Sequence, residues 1–312
     1  MVKCSRQNAT ALNGEKMSII ITGGTGQLGR FAIEELIAAG SAAEQIVATG
    51  RDEIKLARLS SDLGVTTRRA DFSDAATLPT AFDGADKLLL VSTTDVGLRI
   101  GNHQHAIDAA RDAGVGLIVY TSMLNADTAS MQLAREHHLT EEYLKKSGVP
   151  FVILRNGWYL ERYTDQIANV LQEHTLVGGA GGGLIAAATR RDYATAAAAA
   201  ITQAGHAGST YDLGGDAFTL TELAGIIGDA ANVNVTYTDL TEGAHTELLV
   251  SVGVPVRLAE ILADADAGIA RNELFTASRD LERLLGHTPT TPREAVDAAL
   301  AQLPRSAESL LD

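Results

Sequence analysis

Three glycines at intervals of three, Gly23, Gly26 and Gly29, follow the run Ile19-Ile20-Ile21-Thr22 and open a helical pattern. In a strand–turn–helix this spacing has a chemistry. Gly23 makes the tight turn, Gly26 lets a pyrophosphate approach the backbone, and Gly29 allows helix to pack closely on strand. The exposed N–H groups and the helix dipole then hold phosphate. Thr25, Gln27 and Leu28 fill the intervening positions and are candidate contacts. A packed turn without a ligand is the bland alternative, but a strand before the motif and a helix after it are what dinucleotide binding requires.

A second position reports on the kind of dinucleotide. An NAD site usually places Asp or Glu at the end of the second strand, about 20 residues on, where it accepts from the ribose hydroxyls. Here that place reads Ala48-Thr49-Gly50-Arg51. The Arg51 guanidinium suits a 2′-phosphate in a forked, charge-assisted contact and points to NADP(H). Asp52 stands one residue later and keeps the other cofactor open, as does the reading of Arg51 as a solvated loop residue. After the third strand, Asp71 and Phe72 are placed to flank an adenine, or Asp71 merely caps Ser73-Asp74-Ala75.

These residues need a scaffold, and the chain supplies one in alternating β-rich and helical stretches. Strands are expected at 18–22, 45–49, 65–69, 87–92, 116–121 and 151–154, several of them nearly continuous in Ile, Val and Leu as in a sheet covered on both faces. Leu28, Phe31, Ala32 and Leu36 mark the first helix and Gly40 its stop; later helices end at Gly114 and at Ser147-Gly148-Val149-Pro150. The fold class is therefore α/β, a Rossmann-type doubly wound parallel sheet with a smaller C-terminal α/β lobe. Residues 1–16 read as a disordered extension, 17–155 as the NADP(H)-binding domain, and 156–312 mainly as a substrate-binding lobe with segments returning to the core. Within the lobe come a Gly-rich turn at 178–183, an Ala-rich helix from about 192 to 201, a strand at 209–213, a capping box at Thr219 and Glu222, a strand at 234–239, and helices near 242–252, 256–265 and 279–285.

The 312 residues include 46% hydrophobic residues, enough for a core, and the mean hydropathy is +0.05. No apolar run approaches the roughly 20 residues of a membrane span. With 39 acidic against 25 basic residues the net charge is -14, which opposes binding to nucleic acid or to anionic lipid. The lone Cys4 suits a reducing, cytoplasmic setting. His103, His105, His137 and His138 do not make a metal site: neither pair shares a helix face, and no Cys cluster supports them.

Taken together, Thr22 to Gly29, Lys87 to Ser92, Tyr120-Thr121-Ser122, His138 to Glu142, Leu154 to Tyr159, Ala188 to Tyr193 and Gly286-His287 resemble the atypical short-chain dehydrogenases/reductases. Within them the likeness is to the NmrA-like group, in the branch of the bacterial type 2 NADPH:quinone oxidoreductases and triphenylmethane reductase. It covers nearly everything after residue 16. The resemblance implies that the nicotinamide end lies along Ser92 and Thr93, Thr121 and Ser122, and Asn156 with Trp158 and Tyr159; alternatively Trp158 and Tyr159 are packing aromatics. It also implies a departure: the superfamily's usual Tyr-x-x-x-Lys pair falls on Ala134 and His138. His138 then stands in for the ribose-binding lysine, and His138, Asn156 and Tyr159 are the catalytic candidates. The expected function is NADPH-dependent hydride transfer to a small quinone-like or activated carbonyl acceptor. A non-catalytic NADP(H) sensor is the alternative, and a homodimer is left open.

Overall fold

A computed structural model of the chain describes residues 17–303. The extension expected at 1–16, with Cys4, lies outside the described residues. In chain order the first half comprises β1 (Ile19–Ile21), α1 (Gln27–Ala38), β2 (Ile46–Gly50), α2 (Glu53–Leu63), β3 (Thr66–Arg69), α3 (Leu78–Phe82), β4 (Lys87–Leu90), α4 (Arg99–Asp112), β5 (Leu117–Met123), α5 (Gln132–Lys146) and β6 (Phe151–Asn156). The second half comprises α6 (Glu161–Thr164), α7 (Ile167–Glu173), β7 (Thr175–Gly178), β8 (Ile185–Ala186), α8 (Arg190–Thr202), β9 (Thr210–Leu213), β10 (Ala217–Phe218), α9 (Leu220–Ala231), β11 (Thr236–Asp239), α10 (Glu242–Ser251), α11 (Val256–Ala270), α12 (Asp280–Leu285) and α13 (Pro292–Leu300).

The main sheet has seven parallel strands in the order β3-β2-β1-β4-β5-β6-β9. This is the doubly wound order with one strand added, and its direction reverses between β1 and β4. The two-residue period of a strand divides the apolar side chains between the faces. Ile19, Ile21, Leu89, Val119, Val152 and Leu154 pack on one side with α1 and α8. Ile20, Leu88, Leu90, Ile118, Tyr120 and Ile153 pack on the other with α3, α4 and α5. Near-continuous hydrophobic runs in the sequence are thus the signature of two cores fed by the same strands.

A third core joins α6, α7, α9, α11 and α13 with β7, β8 and β10. The Ala-rich α8 lies instead against α1, because Ala194, Ala197 and Ala198 leave room for a close helix pair. Its start differs from expectation: Thr189 and Asp192 form a capping box, so the helix begins at Arg190 rather than near 192. The expected box at Thr219 and Glu222 opens α9. The glycine-rich turn after β7 is tied down by side chains: its N–H groups at Gly179, Ala180 and Gly181 donate to Asp266, the Tyr237 hydroxyl and Asp239. No helix among the described residues is long and apolar enough to cross a membrane.

Candidate active site

At the reversal point the β1–α1 turn leaves the sheet with Gly23 at φ +61°, a left-handed conformation that a side chain disfavours. A Cβ on Gly29 would stand 2.8 Å from the Gly23 carbonyl carbon and 2.9 Å from the Gly24 Cα, so the helix crosses the turn at a distance only glycine permits. Gly26 is the N-cap of α1 and contributes no side-chain cap, and the first turn carries no acidic residue. The first N–H groups of the helix are therefore left to an anionic ligand.

A cavity of about 440 Å³ opens there. Its walls come from the carboxyl ends of four adjacent strands. Asp71 and Phe72 follow β3, Arg51 follows β2, Gly23, Thr25, Gly26, Gln27 and Leu28 follow β1, and Ser92 and Thr93 follow β4. Since neighbouring strands lie about 4.8 Å apart, the lining spreads over about 14 Å, the shape of a groove for an extended ligand. The structure settles what the nearby carboxylates do. Asp52 accepts from the N–H groups of Ile54 and Lys55 and is the N-cap of α2. Asp71 accepts from the Ser73 hydroxyl at 2.7 Å and N–H at 3.1 Å; these bonds, with the charges of Arg51 and Arg69, hold it below the usual carboxylate range. Asp71 is thus a turn cap, and it also lines the cavity.

The other expected residues divide by strand parity. Thr121 faces the α8 side, where its Oγ1 accepts from Ser92 N at 2.9 Å. Ser122 points the opposite way, and its hydroxyl donates to Glu141 of α5 at 2.6 Å, beside Arg155, which pairs with the same carboxylate at 2.7 Å. The two are cross-strand neighbours. The Ser122 side chain is therefore committed to the interior and not to the cavity. Trp158 also stands off the cavity lining: it packs against the lobe core with the Arg162 guanidinium 4.9 Å over its ring.

Tyr159 does line the cavity, under Arg190, whose guanidinium lies 4.6 Å over the phenol ring. Burial pushes the Tyr159 phenol above its ordinary pKa, with Asn156 and Arg190 pulling the other way. It holds its proton at neutral pH. Among the buried polar atoms without a hydrogen-bond partner in the described residues are three of the expected site residues: Thr93 Oγ1, Asn156 Oδ1 and His138 Nδ1. Such atoms are costly to leave unpaired unless a ligand or water satisfies them. Asn156 and Thr93 sit at the carboxyl ends of their strands, where ligands of open α/β sheets bind. His138 is half-buried on α5 and is not among the cavity-lining residues.

Sequence reasoning missed several lining residues, among them Thr94, Asp95, Asn102 and Arg190. The first three belong to the β4–α4 segment, which no local pattern marks. For Arg190 a signal existed, because recognising the Thr189–Asp192 box places Arg190 at the first position of α8. The histidines are dispersed among separate partners. His103 Nε2 accepts from Thr93 N, His105 meets the Phe72 carbonyl and His137 meets the Tyr120 hydroxyl. Among the described residues no three metal-ligating side chains converge.

A cavity of this shape, opening on an uncapped helix N-terminus and the largely exposed guanidinium of Arg51, fits a phosphorylated dinucleotide. A family model described as NAD(P)H-binding matches residues 23–204. The chain belongs to that family. It is similar to quinone oxidoreductase 2 of Escherichia coli, 46% identical over 279 residues that cover 89% of this chain and 97% of the relative. The crystal structure of the E. coli NADPH-dependent quinone oxidoreductase complexed with NADPH superposes with a TM-score of 0.87, over 90% of this chain and 99% of that one. Triphenylmethane reductase of Citrobacter sp., complexed with NADP(H), has a TM-score of 0.85 at 34% identity, covering 90% of this chain and all of that one. The negative transcriptional regulator NmrA shares the fold at 16% identity and a TM-score of 0.75, over 96% of this chain and 99% of that one.

Proposed function

We propose that the protein is an NADPH-dependent reductase whose acceptor is a small quinone or a related electron-poor compound. The observation that carries this reading is the single groove that joins Arg51, the uncapped glycine turn and the phenol of Tyr159. When bound, NADPH supplies the hydride. The N–H groups at the start of α1 hold its pyrophosphate, Arg51 its 2′-phosphate, and Asp71 with Phe72 its adenine. We assign Thr93, Asn156 and His138, whose buried polar atoms lack partners, to the nicotinamide half, with Thr121 Oγ1 accepting from the Ser92 N–H beside it. Residues 17–155 carry the cofactor, and the described residues from 156 to 303 mainly cover the acceptor while returning β9, α8 and α12 to the sheet.

The proton side of the reaction follows from what Ala134 lacks. This buried residue has no polar atom where a phenol would otherwise stand, so the donor must come from elsewhere in the groove. We assign the task of holding a proton at the acceptor oxygen to Tyr159, steadied by Asn156. Quinones tolerate a weak donor because reduction delocalises the incoming charge into an aromatic product, which lessens the need for a strong acid at the oxygen. A relative of 46% identity that is named a quinone oxidoreductase supports catalysis over sensing, whereas the likeness to the regulator is one of fold. We place the protein in a reducing cytoplasm with a small molecule as its partner.

The test is oxidation of NADPH, followed by absorbance, with a small para-quinone and the purified protein. Turnover above background is the expected result, and Tyr159→Phe should depress reduction of an activated ketone more than that of the quinone. Tight NADPH binding without reduction of any quinone, dye or activated ketone would replace this reading with that of a sensor.

A further inference from the structure

The Arg51 guanidinium already has a partner at the cavity. Its Nη1 lies 3.7 Å from the Asp95 carboxylate, and both residues line the groove although they follow strands separated by β1. We propose that Asp95 is a specificity-determining residue of the adenosine end: it competes with the 2′-phosphate for Arg51 and thereby narrows the preference for NADP(H) over NAD(H). This rests on the reading of Arg51 as the 2′-phosphate ligand.

Three observations carry it. The neighbouring carboxylates are otherwise hydrogen-bonded, Asp52 as the cap of α2 and Asp71 on Ser73, and although Asp71 feels the charge of Arg51, Asp95 is the carboxylate within ion-pair distance of the guanidinium. The segment that bears it is fastened on both sides. Thr93 donates to His103 at 3.1 Å and accepts from Arg99 at 2.9 Å, Gly97 donates to Glu136 at 2.6 Å, and the Asp95 carbonyl accepts from Leu98 N at 3.1 Å. The backbone therefore keeps the carboxylate near Arg51 instead of carrying it away when a ligand arrives. Finally, the pair is open to water, with side-chain exposures of 62% for Arg51 and 33% for Asp95. Exposed pairs of this kind are weak, so a phosphate of up to two charges displaces the aspartate, at a cost equal to the pair it breaks. NAD(H), which brings no such phosphate, leaves the pair intact and bears no such cost.

The experiment measures dissociation constants for NADP⁺ and NAD⁺ by calorimetry on the full chain and on Asp95→Asn, Arg51→Ala and the double variant. Asp95→Asn should tighten NADP⁺ by about two- to fivefold, the size of an exposed ion pair, and leave NAD⁺ unchanged. In the Arg51→Ala background the gain should shrink to less than half. If Arg51→Ala weakens NADP⁺ selectively while Asp95→Asn changes nothing, weakens NADP⁺, or helps equally in both backgrounds, the competition is refuted and the role of Arg51 stands. Equal losses of both cofactors in Arg51→Ala would overturn the Arg51 reading and this proposal with it.

Discussion

The turn after β1 and the segment after β4 face each other across one groove but are built by opposite means. The first is a structure of backbone: Gly23 takes a left-handed φ, Gly29 lets α1 cross it, and no side chain caps the helix. The second is held by side chains from two helices, with His103 and Arg99 of α4 fastening Thr93 and Glu136 of α5 fastening Gly97. Arg99 and Glu136 also pair with each other at 3.1 Å, both nearly excluded from water. A backbone site is broken by adding an atom, a side-chain clasp by removing one. Substitutions in the two places should therefore fail differently.

The largest effects are expected in the turn, where two glycines separate binding from folding. A Cβ on Gly26 would meet only the Gly23 carbonyl oxygen, at 3.3 Å, so Gly26→Val should fold while its side chain stands where phosphate must approach. NADPH affinity, read by calorimetry, should fall on the order of 100-fold or more with the melting temperature nearly unchanged. Gly29→Val meets backbone atoms at 2.8 and 2.9 Å that cannot yield, and should lose folded protein as well. If both variants melted alike, the distinction drawn between the two glycines would be wrong.

In the clasp, Glu136→Ala leaves Arg99 buried without its counter-charge. Removing one partner of a buried pair costs about 3–5 kcal/mol, to be measured by urea denaturation. Cofactor binding at pH 7 should weaken less than in Gly26→Val, because Thr93 keeps its bonds to His103 and Arg99. Glu136→Gln, which still accepts from Gly97 N, should recover part of the loss. Smaller again is Arg51→Ala, which removes a charge-assisted contact worth about 1.5–3 kcal/mol from NADPH and little from NADH. Fluorescence titration with each cofactor decides it, since the exposed side chain contributes little to folding.

The same contrast explains what could be read in advance. The glycine turn, Arg51 and the strand runs are local patterns of chain, and the structure places the turn and Arg51 on one cavity. The β4–α4 segment carries no such pattern. Asp95 and Asn102 reach the cavity because His103, Arg99 and Glu136, between 6 and 39 residues from the groups they bind, fold the segment over it. Ser122 shows the limit from the other side: a strand end identifies two neighbouring residues, but parity sends Thr121 to one face and Ser122 to Glu141 on the other. For Trp158 the sequence left a nicotinamide contact and a packing aromatic both open, and its ring belongs to the packing of the lobe.

The clasp also has a titratable member, which gives the finest test of the comparison. His103 is fully buried, its Nε2 accepts from Thr93 N, and its Nδ1 meets the Thr140 hydroxyl, which itself donates to the Glu136 carbonyl. That arrangement requires the neutral ring with the proton on Nδ1. Burial, reinforced by the charge of Arg99, lowers its pKa from 6.5 to about 3. Because the unfolded chain takes up this proton near pH 6.5 and the folded chain does not, the stabilisation is complete above pH 6.5 and is lost as pH falls from there toward 3. For this group the slope approaches about 1.4 kcal/mol per pH unit. His137, buried against Tyr120, shifts in the same direction and adds to the total, so the contribution of His103 must be taken as a difference. Urea denaturation of the unsubstituted protein and of His103→Gln between pH 7 and pH 5 supplies it. The variant should be less stable at pH 7 and should show the shallower dependence, while Gly26→Val, altered only in the backbone turn, should keep the full slope. Parallel profiles for the unsubstituted protein and His103→Gln would mean that the β4–α4 clasp does not depend on a neutral imidazole.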